Sequence, residues 1–131
     1  MQAVEPAGWA PGRGYSNGML APPGARILFV AGQIGWDENQ RLVEGGFVAQ
    51  FARALANVLS VVRAAGGEAG DLGRLTLYVT DCSEYLSHLE EVGEVYRRAM
   101  GKHYPAMTLV EVRALLEPGA KVEIEGTATL S

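Results

Sequence analysis

Two carboxylates near the C-terminus are the residues of this sequence best suited to acid–base chemistry. Glu123 and Glu125 alternate with apolar residues in VEIEGTATL, so on a strand they share one face, about 6.5 to 7 Å apart. Like charges at that distance raise one pKa, and one carboxylate could then take a proton from water while the other holds a neighbouring group. A solvated or interface-paired strand face has the same pattern, so the spacing leaves both interpretations open.

The other reactive side chains also have two interpretations. Tyr15, on a short predicted strand, could donate its phenol to a substrate oxygen or pack with its hydroxyl at the surface. Cys82 follows a predicted strand at a helix start, where the helix dipole would lower a thiol pKa, although a small buried side chain is the simpler interpretation. Gly32 and Gly35 in GQIG lack the third glycine and the helix of a dinucleotide-binding loop.

The small number of His and Cys residues and the negative net charge argue against several classes of function. The chain has two His and one Cys without HExxH or HxxxH spacing, so we expect no metal, no cofactor and no internal disulfide, and a cytoplasmic location. The net charge of -4 provides no field that would attract nucleic acid. The only basic cluster falls at the end of a predicted helix, where the dipole favours cations and RNA contact is the alternative: Arg97, Arg98, Lys102 and His103.

The length of 131 residues predicts a single domain, and 48% hydrophobic with 20% charged residues is typical of a globular protein. We expect an irregular arm over residues 1–13 and one domain over 14–131. The sequence shows no signal-peptide run and no apolar stretch of membrane-spanning length, so no membrane partner is expected.

Apolar periodicity predicts an α+β fold with the element order ββαβαββ. The strands are expected at 15–20, 26–31, 74–80, 106–114 and 122–130, and the helices at 47–65 and 81–100. The first two strands would form a hairpin, followed by a loop over 32–40. Two helices cover one face of the sheet, and we expect the other face, with Met107 and Leu109, to be covered by another copy of the chain.

Six segments resemble, in order, the RidA/YjgF family of reactive-intermediate deaminases, also labelled endoribonuclease L-PSP. They are GYSNG, VAGQIG, AQFARALANVLSVVRAAGG, YVTD, YPAMTLVEV and VEIEGTATL, and they span residues 14–130. The resemblance implies a chorismate-mutase-like subunit in a homotrimer, with small-molecule clefts between neighbouring subunits. It also implies hydrolysis of imines or enamines such as 2-aminoacrylate to a 2-keto acid and ammonia.

The resemblance assigns roles to four residues of a substrate cleft. Tyr15 matches the cleft tyrosine of the family, and Gly32 with Gln33 matches the backbone turn that lines the site. Glu123 matches the glutamate that orients the attacking water, which makes it the candidate catalytic residue.

One family hallmark is absent. The family's Pro-Ala-Arg triplet grips the substrate carboxylate, because the planar fork of Arg makes two parallel hydrogen bonds to it. Here the triplet ends in Met107, whose thioether cannot replace that grip. The asparagine usual in the second helix is matched by Gly93. Arg13, two residues before Tyr15, is a hypothetical replacement cation; a surface arginine is the alternative.

The sequence therefore predicts a RidA-like hydrolase of small imines or enamines, with an altered substrate because Met107 replaces the usual Arg. Its substrate-binding residues would be Tyr15, Gly32, Gln33, Met107 and Arg13. A non-catalytic trimer that binds a small ligand in the same cleft is the alternative function. Endoribonuclease activity is a third and weaker one.

Overall fold

The strands and helices follow the apolar periodicity of the sequence, with some changes of boundary. The computed structural model describes all 131 residues. In chain order the elements are β1 (Gln2–Val4), β2 (Gly18–Leu20), β3 (Arg26–Ile34), α1 (Gly46–Ala64), β4 (Leu72–Val79), α2 (Cys82–Leu86), α3 (Leu89–Met100), β5 (Ala106–Glu111) and β6 (Val122–Leu130).

The main sheet has four strands in the order β3-β6-β4-β5. The central strand β6 is antiparallel to both of its neighbours, whereas β4 and β5 run parallel and are connected through α2 and α3. The edges of the sheet are β3 and β5. The predicted α+β class is confirmed.

Both long helices cover one face of this sheet. Every second residue of β6 is buried, as the alternation in its sequence predicts. These positions join the apolar stripes of α1 and α3 in one core cluster, which includes Phe51, Leu55, Val58, Leu75, Tyr96 and Ile124. The opposite face of the sheet has no helix.

Contrary to the expectation that no apolar stretch has membrane-spanning length, the helix α1 is long and apolar enough to cross a membrane by length and composition alone. Eight of its side chains are buried, and the helix packs on β3 and β6. This is the arrangement of a core helix, which passes the same length and composition test.

The expected hairpin between residues 15–20 and 26–31 does not form. Instead β2 pairs antiparallel with β1, Gln2 lying opposite Leu20, so the segment expected to be an irregular arm contains a strand. The longer strand β3 pairs with β6. Nine residues of regular alternation in β6 offer β3 a longer ladder and more apolar burial than the three residues of β2.

The second predicted helix is two helices, and the break has a local cause. The Oγ of Ser87 donates to the Glu84 carbonyl at 3.0 Å, and Nδ1 of His88 lies 2.7 Å from the same oxygen. These side chains satisfy a carbonyl at the end of α2, and His88 is the N-cap of α3. Asp81 caps the start of α2, because its carboxylate accepts from the Ser83 amide.

The prediction that Met107 and Leu109 lie on the uncovered face is wrong. They pair across the parallel ladder with Leu75 and Leu77, and paired residues share a face, so both pack against the core under the helices. The uncovered face carries other apolar side chains in their place, and the most exposed of them is Phe29, at 78%.

Candidate functional site

Glu123 and Gly32 are brought together by an irregularity in the sheet. The ladder between β3 and β6 slips between Val30 and Gln33, so that Ala31 and Gly32 form a β-bulge. The Glu123 side chain lies on this bulge: a Cβ built on Gly32 would be 2.8 Å from the carboxyl carbon, closer than real Cβ atoms come. Only glycine allows the carboxylate to approach the backbone so closely.

Glu125 has a different partner from Glu123. The Tyr78 hydroxyl donates to Oε1 of Glu125 at 2.6 Å. This hydrogen bond is the main reason why the pKa of Tyr78 is raised above its ordinary value, with burial and the negative charges of both glutamates adding to it. Glu123 takes part in none of the ion pairs of the chain. The Glu125 carboxylate is therefore engaged by Tyr78, whereas the Glu123 carboxylate has no ion-pair partner.

The end of β3 is held by side chains of its own and of α1. The amide of Gln33 folds back and donates to the Ala31 carbonyl at 3.0 Å. Asn57 of α1 donates to the carbonyls of Ile34 and Trp36 at 3.1 and 2.8 Å. The loop expected from residue 32 begins only after Ile34, because the bulge belongs to the strand.

A second group of predicted site residues lines a cavity of about 270 Å³ between α3 and β5. Met107 contributes to its strand wall and Gly93 to its helix wall. The cavity is mostly apolar, and Arg13 and Arg97 are its only charged lining residues. No carboxylate lines it, so the cavity on its own contains no general base.

Tyr15 belongs to neither group. It is partly exposed and packs on the backbone of Gly12, where an added Cβ would lie 2.8 Å from its ring. The next residue, Ser16, donates its amide to the Pro105 carbonyl at 3.1 Å. This contact lays the chain along the outer edge of β5 and places Arg13 at the cavity.

The two groups lie far apart within one chain. Glu123 and Gly32 are on the uncovered face, and Met107 is on the helix-covered face. The strand β4 lies between β6 and β5, which separates their axes by roughly 10 Å in addition to the difference of face. One chain alone cannot place Glu123 and Met107 on the same small molecule.

The structure also divides the basic cluster at the end of α3. Nε2 of His103 lies 2.6 Å from the Leu72 carbonyl, a structural contact, whereas Arg97 lines the cavity. Arg97 was not predicted as a site residue from the sequence, although it lies one helical turn after Gly93. No group of three or more His, Cys, Asp or Glu side chains is placed to hold a metal ion, and Cys82 is a half-buried neighbour of the core.

Comparisons with known proteins show which proteins the chain resembles in sequence. The family model described as endoribonuclease L-PSP matches residues 7–130. The human 2-iminobutanoate/2-iminopropanoate deaminase is 30% identical over 115 residues, which are 87% of this chain and 78% of that protein. Protein DfrA of Myxococcus xanthus is 34% identical over 87% of this chain and 83% of its own.

Solved structures match over almost the whole chain. A Rid-family protein of unknown function from Yersinia pestis superposes with a TM-score of 0.86 at 32% identity, covering 98% of each chain. Escherichia coli TdcF with bound serine superposes with a TM-score of 0.69 at 29% identity, covering 100% of each. With the family model matched from residue 7 to residue 130, the chain belongs to the RidA/YjgF family, the family of endoribonuclease L-PSP.

Proposed function

We propose that this protein is a cytoplasmic hydrolase of the imine deaminase type, which converts a small imine or enamine and water into a carbonyl product and ammonia. The observation that carries the proposal is the unpaired Glu123 carboxylate lying on the Gly32 bulge. The identity to a 2-iminobutanoate/2-iminopropanoate deaminase supports the choice of reaction.

The chemistry needs one base and an ordered water molecule. Glu123 takes a proton from water as the water oxygen adds to the imine carbon, and it gives this proton to the imine nitrogen. In the resulting carbinolamine Glu123 takes the hydroxyl proton and passes it to the nitrogen, so that ammonia leaves, the carbonyl forms and Glu123 is a carboxylate again. Such a positioned base contributes about 10²- to 10⁴-fold. The backbone at Gly32 and the Gln33 amide would orient the substrate beside it.

The complete cleft would form between subunits of a homotrimer. Because Glu123 and Met107 lie on opposite faces of one sheet, the uncovered face of one copy would have to meet the cavity of the next. The cleft would then combine Glu123 and Gly32 of one subunit with Met107 and Arg13 of its neighbour. Apolar side chains on the uncovered face favour such a contact.

Met107 alters the substrate in this proposal. An uncharged thioether on the strand wall cannot hold a carboxylate there and makes that wall apolar. We therefore expect imines with larger apolar groups to be converted faster than 2-iminopropanoate.

A coupled assay tests this function with imines generated in situ from alanine, leucine and phenylalanine by an amino-acid oxidase. We expect the wild type to accelerate hydrolysis most for the larger imines, and Glu123→Gln to lose about 100-fold or more. Glu117→Gln, on an exposed turn, is the matched control and should be unchanged. Turnover that survives Glu123→Gln would refute the mechanism.

A second variant tests the contact rather than the base. Gly32→Ala places a methyl group where the Glu123 carboxylate lies, so we expect turnover to fall while the melting temperature changes little. Gly70→Ala is the control, because a Cβ there meets no atom within 4 Å. Equal activity of the two alanine variants would show that the bulge does not position Glu123.

Ligand binding without catalysis is the second candidate function, and the absence of any carboxylate from the cavity lining favours it. If no imine is hydrolysed by the wild type while small molecules still bind in the cavity, this function replaces the hydrolase.

A further inference from the structure

We propose that Arg97 is the anion-binding residue of the cavity between α3 and β5, and that the ligand is a small carboxylate with an apolar body. The charge would come from the helix wall of the cavity, not from the strand wall that Met107 occupies. This inference deepens the proposed function, because it names the ligand class of the same cleft, but binding can be tested without turnover.

The guanidinium of Arg97 lies against Gly93 on the helix wall of the cavity. The two residues are one turn apart on α3, and a Cβ built on Gly93 would lie 3.1 Å from Nη1 and 3.8 Å from Cζ of Arg97. The guanidinium therefore lies over the glycine, in space that a larger side chain at this position would claim. Since both residues line the cavity, Gly93 allows the guanidinium to lie along the cavity wall.

The positive charge at the cavity has no carboxylate partner within the chain. The three ion pairs of the chain are Arg53–Glu38, His88–Glu91 and Lys121–Glu84, so neither Arg97 nor Arg13 has a carboxylate partner. Two uncompensated guanidinium groups reach one mostly apolar cavity from different segments. A planar guanidinium binds a carboxylate through two parallel hydrogen bonds, which makes that group the best match.

The remaining walls define the rest of the ligand. Met107 and Leu77 come from the strands and Phe51 from α1, and all three are apolar. The volume of about 270 Å³ is just below the usual range of ligand pockets, roughly 300 to 1,000 Å³, so the ligand is small. A carboxylate at Arg97 would direct an apolar chain of a few carbons toward Met107.

The position of the charge also has a consequence for specificity. A carboxylate held from α3 lies on a different wall from one held at the end of the Pro105–Met107 triplet. The reacting carbon of a short acid would then lie away from the position it would have if the triplet held the carboxylate. An acid with a longer apolar chain would also contact the strand wall of the cavity. Arg97 and Met107 together would select for chain length.

Calorimetric titration with hexanoate and with its neutral analogue hexanamide tests the proposal, since neither compound can react. We expect the wild type to bind hexanoate more tightly than hexanamide, and Arg97→Gln to weaken hexanoate binding about tenfold or more. Arg98→Gln removes the same charge from the adjacent residue, which does not line the cavity, and should change hexanoate affinity less than twofold. Hexanamide affinity should be unaffected by Arg97→Gln.

A second variant tests the position of the Arg97 guanidinium separately from its charge. Gly93→Ala keeps Arg97 but crowds its guanidinium, so it should also weaken hexanoate binding, and a melting temperature at or above that of the wild type would show that α3 is intact. Equal affinity of Arg97→Gln and wild type for hexanoate, or equal wild-type affinity for hexanoate and hexanamide, would overturn the proposal.

The outcome is separable from that of the proposed function. Glu123→Gln should bind hexanoate like the wild type while it fails to hydrolyse imines. Hexanoate binding that depends on Arg97 in a protein that hydrolyses no imine would keep this inference and overturn the hydrolase. Turnover that depends on Glu123 but not on Arg97, with hexanoate affinity unchanged in Arg97→Gln, would keep the hydrolase and overturn this inference.

Discussion

At the scale of single residues, two glutamates with the same sequence pattern have different tasks. Glu125 accepts a hydrogen bond from Tyr78, and this contact keeps one carboxylate anchored to the sheet. Glu123, two residues earlier, lies on Gly32 without an ion-pair partner. The alternation places both on one face, but only the cross-strand neighbours decide which of them is available for chemistry.

This difference predicts how Tyr78 titrates. Its pKa is raised from 10.0, mainly by the hydrogen bond to Glu125, so Glu125→Gln should lower the pKa of Tyr78 toward 10.0. Phenolate absorbance against pH measures it, with Tyr78→Phe to assign the signal. Because the folded-state pKa is the higher one, the hydrogen bond stabilises the fold fully below the unfolded pKa and is lost as the pH rises through the folded-state value. An unchanged titration in Glu125→Gln would contradict the assignment.

Part of this arrangement could be predicted from the sequence, through the family resemblance. Glu123 and Gly32 were predicted from the resemblance, and the structure brings them together. Arg97 was missed because a cation at a helix end already has an explanation in the helix dipole. Met107 was placed on the wrong face because neither periodicity nor composition determines how β5 pairs with β4, and this register decides which face a strand residue occupies.

At the scale of secondary-structure elements, one buried side chain ties α1 to the turn before β6. Gln50 is 5% exposed and is the only buried polar residue. Its amide donates to the Gly119 carbonyl at 3.0 Å, and its oxygen accepts from the Lys121 amide at 2.8 Å. These two hydrogen bonds hold the turn, which leads directly into β6, the strand that carries Glu123.

We expect Gln50→Met to destabilise the protein by about 2 kcal/mol, because two backbone groups would lose their partners with little change in volume. Gln2→Met, the same change on an exposed strand, should have almost no effect. The free energies of unfolding of the two variants are compared from their denaturant midpoints, with the slope of the transition (the m-value) unchanged. If both variants were equally stable, the Gln50 bridge would not hold the turn.

The elements themselves were largely predictable, and the exceptions are informative. Periodicity located α1, β4 and β6, whose apolar spacing is regular over many residues. It did not reveal the break between α2 and α3, which depends on local bonds from Ser87 and His88, nor the pairing of β1 with β2. Both depend on contacts outside the regular pattern.

At the scale of the whole molecule, the uncovered face of the sheet exposes apolar side chains on which no helix packs. Phe29 is 78% exposed there, and Ile27 on the same strand and Val110 on the far edge strand β5 are exposed on the same face. Burying one such aromatic side chain contributes about 1.5 to 3 kcal/mol, and a cyclic assembly would gain this at every interface. The same contact would bring the Glu123 face of one copy to the Met107 cavity of another.

We therefore expect light scattering to give about three times the chain mass of 13.9 kDa, and Phe29→Lys to give single chains, because a charge replaces the apolar side chain at the contact. Leu116→Lys, at a fully exposed position in the loop before β6, is the control and should keep the wild-type mass.

If the cleft lies between subunits, Phe29→Lys should also lose imine hydrolysis while it retains the Arg97-dependent binding of hexanoate, since that cavity lies within one chain. A wild-type mass of 13.9 kDa would contradict the composite cleft, because Glu123 and Met107 would then never meet.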